Sequence, residues 1–160
     1  MERQILVLGI GNTLLSDDGI GVHVIEALRR REREGTALPL VLRDGGTLGL
    51  SLLPEIERCT ALVLIDAVEL GAPPGEVRSF EGTAMDALLA GRKRSPHAVG
   101  IADLMEAARL TGCQPARRAL IAVQPGSLDW GTEPTEAVAV SVPRACSAVL
   151  SIIARWCHDT

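Results

Sequence analysis

The chain has 160 residues, of which 47% are hydrophobic and 22% charged, and its formal net charge is −4. That composition suits a single domain with a real core, covering 1–160, and excludes a disordered chain. It also argues against nucleic-acid binding. The surface is not basic, and Phe80, Trp130 and Trp156 are the whole aromatic set available for base stacking. No run of 18 or more apolar residues is present, so no membrane span is expected. The start "MERQILVLGIGN" lacks the apolar region and cleavage site of a signal peptide, which makes a cytoplasmic protein the expectation. Cys59, Cys113, Cys146 and Cys157 contain no C-x-x-C pair, and reduced, mostly buried thiols are expected.

The run "QILVLG" (4–9) is continuously apolar and closes on glycine, as a buried parallel strand does. Helical spacing takes over across 19–33, with Ile20, Val24, Ile25 and Leu28 on one face. A second strand is expected over 38–44. A short helix follows over 47–58, with Thr47 as its cap and Pro54 limiting or kinking it. "ALVLID" (61–66) is a third buried strand ending on one acid. "GAPPG" (71–75) is a turn, "EVRSF" (76–80) an edge strand, and 83–90 a short helix. "GRKRS" (91–95) reads as a solvated loop. Beyond His97, Ile101, Leu104, Met105 and Ala108 mark a helix stopped by Gly112. Residues 117–126 are a strand with a turn. The stretch 134–157 is helical at least in its second half, and Pro143 either kinks that helix or marks its start. Strands alternating with helices predict a three-layer α/β sandwich: a mostly parallel sheet of about five strands with helices on both faces.

In such a fold the ligand site lies beyond the carboxyl ends of the strands. Three acidic loops end there: Asn12, Asp17 and Asp18 after the first strand, Asp44 after the second, Asp66 after the third. The glycine-rich loop "GIGNTLLSDDGIGV" (9–22) fails the G-x-G-x-x-G spacing, because Leu14 stands where the third glycine belongs. Crowded carboxylates repel one another, so they favour a cation over a phosphate. Of the three histidines, His23 reads as a helix residue and His158 lies at the frayed end. His97 follows "SP" at a loop-to-helix junction, where either a ligand role or a plain loop role fits. Asp18, Asp66 and His97 together would suit nickel, zinc, manganese or iron, with coordination positions left open. Asp17 has the plain reading of a helix cap.

Taken in order, "LVLGIGNTLLSDDGIGV", "DGGTLGLSLL" (44–53), "LVLIDAV" (62–68), "SPHAVGIADLM" (95–105) and "QPGSLDWG" (124–131) resemble the hydrogenase maturation endopeptidases. These trim the C-terminus of the large subunit of nickel–iron hydrogenases. The resemblance implies metal contacts by Asp18, Asp66 and His97, and a recognition or cleavage role for Asp44. Some relatives carry glutamate at the position of Asp18. It implies further that the nickel arrives with the hydrogenase precursor and is not held by the free protein, which is expected to be a monomer. Two other readings stand beside it. One is a peptidase or amidase owning a zinc on the same residues; the other is a nickel-sensing accessory module that cleaves nothing. Water activated by the metal or by a carboxylate would be reasonable chemistry for the cut.

Overall fold

The computed structural model describes residues 4–35, 40–92 and 100–159. Its strands are β1 (Ile5–Ile10), β2 (Leu40–Gly46), β3 (Ala61–Ala67), β4 (Val77–Glu81) and β5 (Arg117–Val123). They form one sheet in the order β2-β1-β3-β5-β4. The pairings β1–β2, β1–β3 and β3–β5 are parallel, and β4 lies antiparallel on β5. The helices are α1 (Ile20–Arg33), α2 (Leu53–Arg58), α3 (Gly82–Ala90), α4 (Ile101–Leu110), α5 (Glu136–Ala139) and α6 (Val142–His158).

Alternate residues of each central strand enter opposite layers, because successive strand side chains point to opposite faces. Ile5, Val7, Ala61, Val63 and Ile65 meet α1 and α6 through Val24, Leu28, Val149 and Ile153. Leu6, Leu8, Leu62 and Leu64 meet α2, α3 and α4 through Ile56, Met85 and Leu104. Full burial of one such side chain contributes about 1.5–3 kcal/mol. An exposed ion pair such as Arg43–Glu55 contributes about 1 kcal/mol or less. The two apolar layers therefore hold the fold, and the expected three-layer architecture with its edge strand is what the chain adopts.

Some local expectations change. Thr47 caps nothing: a 3-10 turn over Gly49–Leu52 precedes α2, and Pro54 sits in the first turn of α2, where its missing N–H is harmless. Of the two roles open to Pro143, it takes the second and marks the start of α6, as expected. Gly112 ends the α4 segment as expected. Its φ of +74° allows its own N–H to reach Arg109 O and that of Cys113 to reach Ala108 O. Of the cysteines only Cys146 is buried; Cys59 and Cys113 are half-buried and Cys157 is exposed. The run Glu136–His158 is long and apolar enough to cross a membrane by length and composition. In the fold, α6 lays Cys146, Val149, Ile153 and Trp156 on the sheet and turns Arg144 and Arg155 outward.

Candidate active site

The strand order reverses direction at β1: the chain passes from β1 to β2 on one side and reaches β3 on the other. Such a switch point opens a crevice at the carboxyl ends of the strands. Gly9 is in register with Asp44 on one side and Ile65 on the other, so Asp44 and Asp66 end neighbouring rows at that edge. Asp18 reaches the same edge from a 3-10 turn, Ser16–Gly19, that leads into α1.

The glycines of the first loop serve this placement. A side chain on Gly21 would begin 2.3 Å from Ile65 O and 2.4 Å from Ile10 O, so only glycine lets the start of α1 sit on β1 and β3. Gly11, at φ +133°, lies where a Cβ would stand 1.8 Å from Asp18 O. The close approach is to the chain's own helix and turn.

Asp18 and Asp66 are near enough for the Asp18 carboxylate to act on Asp66. The N–H of Asn12 donates to Asp18 Oδ2 at 2.8 Å, and that of Ala67 to Asp66 Oδ1 at 2.8 Å. Burial, and then the neighbouring Asp18 carboxylate, push the Asp66 carboxyl well above the usual carboxylate range. The Arg92 guanidinium and the Ala67 N–H pull in the opposite direction without cancelling it. Arg92 opens the basic run read as a plain solvated loop; its field reaches the site, which spacing alone could not reveal. Asp44 is half-buried at the end of β2. His97 lies outside the described residues. Gly100, three positions later, lines a narrow apolar groove with Ile10, Gly46, Leu52, Ile101 and Leu104 at this edge. Among the described residues no three histidine, cysteine or acidic side chains converge as a metal set.

Asp17 does not cap α1, whose first turn has no side-chain cap. It is fully buried, and its carboxylate accepts four hydrogen bonds from the far side of the sequence. Oδ2 takes the N–H of Gly126 at 2.8 Å, the N–H of Ser127 at 2.9 Å and the Thr135 hydroxyl at 2.8 Å. Oδ1 takes the N–H of Thr135 at 2.6 Å. Burial alone would raise this carboxyl, but the hydrogen bonds outweigh it and hold it below its usual range. Ser16, just before it, adopts φ +49°, a left-handed conformation that costs a non-glycine residue about 1–2 kcal/mol. Its N–H to Gly131 O at 2.9 Å and its hydroxyl to Asp129 O at 2.8 Å hold it there.

A second brace was not foreseen from the sequence. Gln124, 4% exposed at the end of β5, accepts the N–H groups of Leu70 at 2.6 Å and Ala72 at 3.4 Å. Its amide donates to both carboxylate oxygens of Glu69 at 3.1 and 3.0 Å. Thus the loop leaving Asp66 is fixed by one buried amide. Only the glutamine after an apolar strand hinted at it.

An α/β sheet that gathers carboxylates at its switch point is a common frame for hydrolases, and comparison with known proteins narrows the class. The family model described as hydrogenase maturation protease matches residues 22–152. Hydrogenase expression/formation protein HupD of Rhodobacter capsulatus is 38% identical over 157 residues, covering 96% of this chain and 73% of that protein. Hydrogenase 2 maturation protease of Escherichia coli is 37% identical over 153 residues, covering 94% and 90%. The solved hydrogenase maturating endopeptidase HybD of Escherichia coli superposes with a TM-score of 0.83 at 33% identity, covering 96% of this chain and 93% of its own. The chain belongs to the hydrogenase maturation protease family, and it is a peptidase.

Proposed function

We propose that the chain removes the C-terminal extension of a nickel–iron hydrogenase large-subunit precursor after nickel insertion. Asp18, Asp66 and His97 meet the nickel that the precursor carries, and Asp44 lies beside the segment to be cut. The observation that carries this reading is the convergence of Asp18 and Asp66 at the switch-point edge, where the Asp18 carboxylate adds repulsion to the larger effect of burial on Asp66. A divalent cation brought between them relieves that repulsion, whereas an anionic ligand would worsen it. Two carboxylates and an imidazole form a modest set, so a metal already ligated by the precursor needs only a few added contacts. Those contacts and the protein interface then reinforce each other as linked binding events.

Asp18→Asn, Asp66→Asn and His97→Ala test the assignment. Each is expected to abolish loss of the C-terminal peptide, followed by the mass of a nickel-loaded precursor, while thermal unfolding stays near that of the parent. Normal processing by any one of them removes that residue from the site. Metal analysis of the purified protein addresses the zinc-owning peptidase: stoichiometric zinc would replace nickel reading with resident-metal chemistry.

A further inference from the structure

Residues 124–135, after β5, contain no helix or extended strand, yet they are bonded to the loop that carries Asp18. The Asp17 carboxylate takes the N–H groups of Gly126, Ser127 and Thr135. The Asp17 N–H donates to Ser127 O, the Ser16 N–H to Gly131 O, and the Gly131 N–H to Leu14 O. This pairing aligns two loops, and it turns their largest apolar side chains into water. Leu14 is 52% exposed, Leu128 54% and Trp130 82%. Trp130 is one of only two tryptophans; the other, Trp156, packs in the core. A buried carboxylate is thus spent on holding an indole outside the core.

The ridge is continuous with the site. Leu14 donates its N–H to the Asn12 side chain, and Asn12 donates its own N–H to Asp18. A protein substrate whose cleavage segment reaches Asp18 therefore also covers Leu14 and the loop paired with it. The loop itself is acidic: Asp129 and Glu133, with Glu136 just beyond, are exposed, and no lysine or arginine occurs between residues 124 and 143.

We propose that Leu14, Leu128 and Trp130 form a preformed ridge that seats a nonpolar, basic-flanked segment of the hydrogenase large-subunit precursor beside the bond that is cut. This rests on the reading of the chain as a large-subunit protease. Because the backbones that carry the ridge are already bonded to each other, little backbone ordering is required on binding, and tryptophan is a residue type that often anchors such contacts. The ridge acts in binding, not in bond breaking.

The test uses the full chain labelled with 5-fluorotryptophan, which gives one fluorine resonance for each of the two tryptophans. Trp130→Phe assigns them. Adding unlabelled nickel-loaded precursor is expected to shift and broaden the Trp130 resonance and leave that of Trp156 in place. In the processing assay Trp130→Ala is expected to raise KM by roughly tenfold or more, with kcat changed less than about twofold, as for loss of a binding anchor. An unmoved Trp130 resonance together with an unchanged KM, while the parent cleaves the precursor, overturns the ridge alone. A moved resonance without any cleavage by the parent overturns the protease reading and leaves the ridge as a docking surface. Absence of both overturns both.

Discussion

At the scale of the residue, Asp17 carries a larger predicted loss of stability than its position suggests. As a helix cap, its replacement by asparagine would cost about 1 kcal/mol or less, since asparagine caps nearly as well. As observed, an amide must present N–H2 to at least one backbone N–H, leaving a buried donor unpaired. Each such loss costs about 1–3 kcal/mol. Asp17→Asn is therefore expected to lower the urea midpoint clearly, where a midpoint equal to that of the parent would contradict the clamp. The sequence could not reveal this, because the partners Gly126 and Thr135 lie 109 and 118 positions away. Asp18 and Asp66 were different. Each ends an apolar run or follows a glycine-rich one, so a rule about strand ends singles them out before any contact is known. Arg92 and Gln124 gave no comparable signal, since a basic loop and a polar strand end are ordinary features of any surface.

At the scale of the element, β1, β3 and β5 were readable as unbroken apolar runs, and α1 and α4 as amphipathic periods. The boundary that shifted, at Thr47, depends on a 3-10 turn that propensity separates poorly from a helix start. The attachment of α3 to the sheet carries its own test. Arg118, near the start of β5, bonds Asp86 of α3 through Nε at 2.9 Å, and this hydrogen bond holds the Asp86 carboxyl below its usual range. A carboxyl with a depressed folded value stabilises above its unfolded pKa of about 3.9, and the stabilisation fades as pH falls through the folded value. Asp86 is partly exposed, so the contribution is discounted to about 1 kcal/mol or less. Asp86→Asn should thus be slightly less stable than the parent at neutral pH and should converge with it in strong acid. Denaturant unfolding of both proteins across that range checks it; a gap that widens as pH falls would reverse the sign.

At the scale of the whole molecule, a rigid sheet presents two carboxylates at its switch point. A buried aspartate locks one flanking loop and a buried glutamine the other. The fold that results is that of a family of proteases, and the proposal is that its paired carboxyls meet a cation that arrives with the substrate. The most direct test compares one precursor in two forms. Purified protein is incubated with nickel-loaded and nickel-free large-subunit precursor, and the mass of each precursor's C-terminus is followed over time. The account predicts that only the loaded form loses its C-terminal peptide. Equal cleavage of both forms, or cleavage of neither, would contradict it.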